Sequence, residues 1–510
     1  MSDTSIREEI RTIEEINEKI GQGEAVVLTA EEMIKLAESS GIDVAAKEVD
    51  VVTTGTFGAM CSSGVFLNFG HADPPIKMTR CWLNDVPLYK GLAAVDGYLG
   101  ATALSETRGF DYGGGHVIED LVSGREIELR AESYGTDCYP RRYIETVITI
   151  DDLNQAVLVN PRNCYQTYDA ATNSTDRVLY TYMGTLLPHF GNVNFSGAGQ
   201  LNPLCKDWNY ETIGIGTRIF LGGGVGYIIG EGTQHSPQGG FGTLMVRGDL
   251  KKMSSRYLRG ASFHKYGVTL YVGVGIPIPI INERVATTAA LRDEDIIVNI
   301  RDYGVPVRPD RRPVVKRASY AELRSGKVVI DDKDVPSSSL SSYRVAREIA
   351  ETLKKWIIEG KFFLTRPVEP IPRRRKFKPL KVRKRELTVL EIMKGEVVTA
   401  NPGDDVRAAA RKLVEKGIDH LPVVDEESKL IGIVTSWDVA KAIAQEKRRL
   451  SEIMTRRVIT ARTDEPIDVV VRRMTQHNIS GVPVTDETNR VIGILTTDDI
   501  SRKVVGGRLG

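Results

Sequence analysis

Cys138 lies in Tyr134-Gly135-Thr136-Asp137-Cys138-Tyr139-Pro140-Arg141-Arg142, a segment dense in turn formers with two guanidinium groups beside the thiol. Nearby positive charge favours thiolate over thiol, and the thiolate attacks carbonyls and carries sulfur. The competing reading leaves Arg141 and Arg142 in solvent and Cys138 packed as a small hydrophobe. Cys61 follows Thr53-Thr54-Gly55-Thr56-Phe57-Gly58-Ala59-Met60, where a strand runs into a Gly/Ser/Thr-rich turn. Such a turn exposes a nucleophile or cradles an anion with its backbone N–H groups. Cys81, Cys164 and Cys205 have bulky, aromatic or Pro-Leu neighbours and read as buried packing. His116, after three glycines, and His235, closing the run from Gly222, are candidate acid/base groups. For each, the alternative is a satisfied structural histidine. No G-x-G-x-x-G register can be drawn through Gly222–His235, so that run reads as a loop lining a small-molecule pocket, not a dinucleotide turn.

These groups need a scaffold, and composition bounds it. At 510 residues the chain exceeds one ordinary core, so two or three domains are expected. Its 68 basic and 67 acidic residues leave a net charge of +1, with no global field favouring nucleic acid or membrane. The longest apolar stretch, Gly273–Ile281, is broken by Gly275, Pro277 and Pro279, and the N-terminus is polar, so a cytoplasmic protein is expected. Five cysteines without a C-x-x-C pair argue against a disulfide framework, a zinc ribbon or a locally held iron–sulfur cluster; no metal site is expected.

Isoleucines at 6, 10, 13, 16 and 20 predict an amphipathic helix over 6–20, and Thr29 with Glu32 predicts a capped helix start. Beyond residue 49, β-like runs predominate: Val49–Thr54, Ile144–Ile150, Ile213–Leu221, Gly242–Val246 and Val268–Val274. The fold class is therefore a mixed α/β (α+β) large domain, over 1–372, whose sheet topology the sequence does not specify. Residues 373–386 form a basic, proline-containing segment that reads as a solvated linker.

An internal repeat follows, over 387–447 and 448–510. Met393 aligns with Met454, Ile418 with Ile479, Pro422-Val423 with Pro483-Val484, and Asp438 with Asp499, always 61 positions apart. A fixed offset without insertion marks a duplicated unit. Each unit reads strand (Val397–Thr399), helix (Asp404–Lys416), strand (Leu421–Val424), strand (Leu430–Val434), helix from Ser436. This resembles the CBS module, two of which form a tandem α/β domain. In that family a hydroxyl-x-x-Asp at the last strand–helix junction holds an adenosyl ligand, the carboxylate accepting from both ribose hydroxyls. The matching residues are Thr435 with Asp438 and Thr496 with Asp499.

Cys61 in its glycine-rich turn, Cys138 in Gly-Thr-Asp-Cys-Tyr-Pro-Arg-Arg, the Gly222–His235 run and the C-terminal CBS pair together resemble the archaeal and anaerobic homocysteine-biosynthesis family of L-aspartate semialdehyde sulfurtransferases. The resemblance implies reductive sulfur insertion into aspartate semialdehyde, with a persulfide on Cys138 and assistance from Cys61. It implies no tightly bound cofactor in this chain, two electrons from a separate small iron–sulfur (ferredoxin-domain) partner, and a sulfide or persulfide donor. A substrate with an amino-acid head needs a carboxylate anchor, for which Arg141, Arg142 and Arg80 are candidates. S-adenosylmethionine or another adenosyl nucleotide is the expected CBS ligand, and a homodimer through the CBS domains is expected. Two other readings stand beside this one. An IMP-dehydrogenase-like oxidoreductase also joins a cysteine to a CBS pair, but there the pair interrupts a regular (β/α)₈ barrel. A non-enzymatic sensor of adenosyl ligands is the third.

Overall fold

The computed structural model describes residues 11–381 and 387–506, with side chains described to 503. Ile6 and Ile10 of the expected first helix, residues 382–386 of the basic linker and residues 507–510 lie outside the described residues. Contacts divide the chain into two compact units meeting between Lys378 and Pro379, inside the basic segment.

The first unit is built on a nine-stranded sheet. Its strands run Leu258–Phe263, Gly267–Gly275, Arg218–Leu221, Gly224–Glu231, Thr243–Asp249, Gln155–Cys164, Gly64–Asn68 and Asp96–Gly100, with Thr56–Ala59 also paired to Gly267–Gly275. Strand Gly64–Asn68 shows why these residues pair: Val65 and Leu67 enter the core while Phe66 between them is exposed, a period of two. Strand Gly267–Gly275 is covered on both faces and its residues are nearly all buried. Helix Tyr343–Ile358 crosses it through Ile349. A Cβ at Gly273 would lie 2.8 Å from the Ile349 Cδ1, so glycine there permits the crossing.

A four-stranded sheet, ordered Tyr143–Ile148, Ile127–Glu132, Arg80–Leu83, Val86–Pro87, shares the same core. A six-stranded sheet, with Ile297–Asp302, Ala170–Thr172 and Val193–Phe195 at its centre, encloses a second core around Phe195, Ile296 and Tyr320. The expected strands are present with shifted ends, except that Ile213–Leu221 is two strands, Gly214–Ile215 and Arg218–Leu221, in different sheets; the capping box at Thr29 and Glu32 forms as expected. The first helix spans Ile13–Gln22, starting at the Thr12 cap.

Two expectations are corrected. Gly222–His235 does not line a pocket as a loop. Gly222 and Gly223, with φ of 58° and 97°, form the two-residue turn of a hairpin in which Leu221 faces Gly224, and Gly224–Glu231 is a strand of the main sheet. Consecutive positive φ values suit the primed turns that match strand twist, and glycine adopts them at least cost. Val397–Thr399 is not a strand; the chain there makes its β contact one residue later, a bridge from Ala400 to Val423.

The second unit carries the repeat into three dimensions. Hairpins His420–Val424/Leu430–Thr435 and Gly481–Thr485/Val491–Thr496 correspond strand for strand, each followed by a helix, Ser436–Ala444 and Thr497–Gly506. The entry segments cross between repeats: Thr455 bridges Ile433, and Lys394 bridges Ile494. Each hairpin therefore borrows a backbone partner from the segment preceding the other repeat.

Candidate active site

The hairpin of Ile127–Glu132 and Tyr143–Ile148 continues past its regular strands. The Ser133 N–H donates to the Arg142 carbonyl (2.8 Å), and the backbones of Thr136 and Tyr139 exchange hydrogen bonds of 2.9 and 3.1 Å. Asp137 and Cys138 are thus the two residues at the tip, and Cys138 is exposed. The thiol lies 3.5 Å from the Thr136 hydroxyl. The segment between Asn68 and Arg80 braces the tip: the His71 ring stacks on Tyr139 with centroids 5.8 Å apart, and Lys77 donates to the Tyr134 hydroxyl at 3.2 Å.

The arginines do not take the places expected of them. Arg141 donates through Nε to the Pro74 carbonyl (3.0 Å) and through Nη2 to the Asp73 carbonyl (2.6 Å). Its fork is filled by backbone oxygens, which bind the hairpin to the neighbouring loop, so it serves neither the thiol nor a carboxylate in this conformation. Arg80 forms an ion pair with Glu132 directly across the sheet, and its guanidinium carbon lies 5.8 Å from the Trp82 ring centre. Arg142 packs over Gly135, whose φ of 76° lets the loop turn under it. Of the three, Arg142 has the side chain nearest the hairpin tip in chain order without a backbone carbonyl assigned to its guanidinium.

Cys61 sits in the turn between Thr56–Ala59 and Gly64–Asn68, as the sequence predicts, and is half-buried. The Thr269 hydroxyl donates to its sulfur at 3.1 Å. Burial pushes the Cys61 thiol up, while the Thr269 hydrogen bond opposes that shift by favouring the thiolate. The following residues are tied down: Ser62 donates to Asn160 Oδ1 (3.3 Å), and Asn160 Nδ2 donates to the Ser63 hydroxyl (3.0 Å). Replacing Thr269 by valine should therefore slow alkylation of Cys61 by iodoacetamide on the order of tenfold near pH 8.5 and move its pH midpoint upward. Peptide mapping across a pH series measures this; an unchanged midpoint would contradict the role given to the hydroxyl.

Tyr266 and Tyr271 come from the same hairpin as Thr269, and their phenols are pushed up by burial and then by the Cys61 charge. Tyr266 contacts Tyr182 (6.3 Å between centroids), whose hydroxyl meets that of Tyr303 at 2.9 Å and accepts from Arg312 at 3.3 Å. Sequence reasoning missed Thr269, Tyr182, Tyr266, Tyr303 and Arg312 because they come from separate strands and hairpins and share no local spacing. The one available signal is the tyrosine and histidine density over 263–271.

Cys61 precedes strand Gly64–Asn68, and the Cys138 tip is braced by His71 and Asp73, which follow it. Cys81, Cys164 and Cys205 behave as packing residues: burial pushes Cys81 and Cys205 up to about 12, and Cys164 is pushed higher still by the same cause.

The histidines divide. His235 is 5% exposed, and both ring nitrogens are held by backbone: Nδ1 lies 2.8 Å from the Thr243 carbonyl and Nε2 2.8 Å from that of Pro372. The Thr243 N–H also donates to Nδ1 at 3.0 Å, so this buried ring has both nitrogens taken by backbone, against its reading as an acid/base group. His116 stacks on Tyr112 (5.3 Å), its pKa is lowered by burial, and its Nδ1 is buried without a partner among the described residues. It lies in the first turn of helix Gly114–Val122, whose two opening glycines pack against backbone of the main sheet, including that of Thr269. A Cβ on Gly115 would lie 2.1 Å from the Thr269 carbonyl oxygen, and one on Gly114 1.9 Å from that of Gly100.

In the second unit, Thr435 and Thr496 each cap the following helix. Asp438 Oδ2 accepts from the Thr435 hydroxyl at 2.6 Å, and Asp499 Oδ2 from the Thr496 hydroxyl at 2.6 Å. Each pair is a capping box in which the same carboxylate oxygen, Oδ2, also accepts from the threonine N–H.

With this geometry in hand, comparison with known proteins decides the family. A family model described as homocysteine biosynthesis enzyme, sulfur-incorporation, matches residues 25–364, and CBS domains match 389–445 and 450–506. The chain belongs to this homocysteine-biosynthesis family of sulfurtransferases. It is 58% identical to the L-aspartate semialdehyde sulfurtransferase of Methanocaldococcus jannaschii, over 98% of this chain and 99% of that one. The enzyme of the same name from Methanosarcina acetivorans is 54% identical, over 96% and 98%. Among solved structures, a CBS domain pair in complex with 5′-methylthioadenosine and S-adenosyl-L-methionine is 50% identical over 24% of this chain and 98% of that one, with a TM-score of 0.24. The fold is the mixed α/β arrangement with a C-terminal CBS pair that the sequence implied. Among the described residues no helix is long and apolar enough to cross a membrane.

Proposed function

We propose that the chain converts L-aspartate semialdehyde to L-homocysteine, with Cys138 carrying sulfur as a persulfide and Cys61 assisting at the carbonyl. Aldehyde, hydrogen sulfide, two electrons and two protons give the thiol and water. When sulfur arrives instead as the zero-valent outer atom of a persulfide, two further electrons and two protons return Cys138 to its thiol. The donor is an iron–sulfur protein of ferredoxin type, the role that the family resemblance assigns to a separate partner. The biosynthetic activity of the relatives supports a cytoplasmic setting.

The observation that carries this reading is the contrast between the two cysteines. A thiol at an exposed hairpin tip suits loading by an external sulfur donor, since acceptance of a sulfur atom requires access for another molecule. A half-buried thiol under a hydroxyl donor suits chemistry that must exclude water. The aromatic group of Tyr266, Tyr182 and Tyr303 includes one cation, Arg312, offered for a substrate carboxylate.

Mass spectrometry of the protein after polysulfide treatment tests the assignment. One added sulfur on the Cys138 peptide is expected, lost on reduction. Sulfur found on Cys61 alone would reverse the roles, and sulfur on neither would remove the persulfide from the reaction.

The CBS pair is proposed to bind adenosyl ligands at Thr435/Asp438 and Thr496/Asp499, S-adenosylmethionine among them as a distant product of homocysteine, and to join two chains face to face. The second oxygen of each carboxylate, Oδ1, which the capping threonine does not use, supports the first part, because the hydroxyls of a ribose diol donate to such an acceptor.

A further inference from the structure

The two repeats place the same backbone but different side chains beside their ribose-binding carboxylates. Lys394 exchanges backbone hydrogen bonds of 2.9 and 3.0 Å with Ile494, and Thr455, 61 positions later, exchanges bonds of 2.9 and 3.0 Å with Ile433. Each residue thus stands in the equivalent place over the equivalent strand. From there the Lys394 ammonium reaches Asp499 Oδ1 at 3.0 Å, the oxygen not used by Thr496. The Asp499 side chain is 6% exposed and the Lys394 side chain 58%, so the cation lies at the mouth and the carboxylate beneath it. Thr455 carries no charge, and among the described residues no cation is paired with Asp438, which is only half-buried.

We infer that Lys394 makes the Asp499 site selective for adenosyl compounds with an anionic 5′ substituent, while the Asp438 site takes neutral or cationic ones. This rests on the adenosyl reading of the CBS pair. A ribose diol can reach Asp499 Oδ1 only by displacing the ammonium. A buried carboxylate stripped of its counter-ion is costly unless the displaced charge finds a new partner close by. A phosphate on the ligand provides that partner: the ammonium moves from carboxylate to phosphate, and the diol hydrogen bonds replace it on the carboxylate. A sulfonium does the opposite, bringing a second positive charge against the released ammonium. At Asp438 there is no ammonium to displace, so neither cost arises. The duplicated unit then reports two ligand classes from one fold, with a single side chain making the difference.

Calorimetry on the full chain with adenosine 5′-monophosphate and S-adenosylmethionine tests this. Asp438→Asn leaves the Asp499 site, which should bind the monophosphate on the order of tenfold more tightly than the sulfonium compound. Adding Lys394→Met, which keeps the aliphatic stem, should erase that ratio, and Lys394→Arg should retain it. In the reciprocal variant, Thr455→Lys with Asp499→Asn, the remaining site should shift by a similar factor toward the monophosphate, a readout independent of how Lys394 variants fold. A ratio untouched by Lys394→Met and Thr455→Lys would overturn the inference while leaving adenosyl binding in place. Absence of binding by the wild-type chain to either compound would overturn the adenosyl reading itself.

Discussion

Replacing Cys138 by alanine is expected to abolish homocysteine formation, by about three orders of magnitude or more, without changing the stability of the fold. The expectation combines two facts that rarely coincide. The residue is exposed at a two-residue hairpin tip and contacts only the Thr136 hydroxyl among the hydrogen bonds assigned to it, so its removal leaves no cavity and no orphaned donor. Its sulfur is nevertheless the proposed carrier. Assay with aspartate semialdehyde, a sulfur source and a reductant, alongside thermal unfolding, checks both halves. Retained turnover would end the persulfide assignment to Cys138. Lost turnover with lowered stability would mean that the tip matters structurally, through its brace on His71 and Lys77.

Gly115→Ala is expected to have the reverse signature, a large loss of stability together with loss of Cys61 chemistry. The added methyl would stand 2.1 Å from the Thr269 carbonyl oxygen, a backbone atom of a strand of the main sheet that is paired on both sides. Neither helix Gly114–Val122 nor strand Gly267–Gly275 can yield cheaply, since both are buried against the same core. Forced overpacking of this kind costs about 3 kcal/mol or more. Any relief must shift Thr269, and with it the hydroxyl that holds the Cys61 sulfur at 3.1 Å. Denaturant unfolding and the Cys61 alkylation rate are the two measurements. Unchanged stability would show that the helix can lift away, and normal Cys61 reactivity in a destabilised variant would separate the packing from the site.

The two cysteines sit in differently held elements, Cys61 in a turn tied down through Ser62, Ser63 and Asn160. The hairpin beyond Glu132 and Tyr143 is held by backbone pairs and by Arg141, with few buried side chains at its tip. Such an element moves more readily than the sheet it extends from.

How much of this was legible beforehand depends on the range of the interactions involved. The duplication, its 61-residue offset and the paired Thr-x-x-Asp boxes are local patterns, and they survived into matching hairpins and capped helices because a capping box needs only residues three apart. The exposure of Cys138 was likewise implied by turn formers on either side of it, and the Cys61 turn by glycine and serine following a strand. Charge assignments failed where a long side chain had a choice of partners. Arg141 lies three residues from Cys138 in sequence, yet its guanidinium goes to Asp73 and Pro74, nearly seventy residues away. Gly222–His235 shows the same limit in another form: its glycines are those of a primed hairpin and a sheet interior, and composition does not distinguish these from a ligand loop.

By itself, then, the sequence determined the two-part organisation, the repeat and the family, and it singled out the two cysteines on which the proposal rests; all of these depend on residue identity and short spacing. Tertiary structure alone decided that Thr269 meets Cys61, that both ring nitrogens of His235 are held by backbone, and that Lys394 covers one carboxylate of a duplicated pair. Those outcomes come from strands aligned across 60 to about 200 residues of chain, where register and the reach of a side chain select the partner.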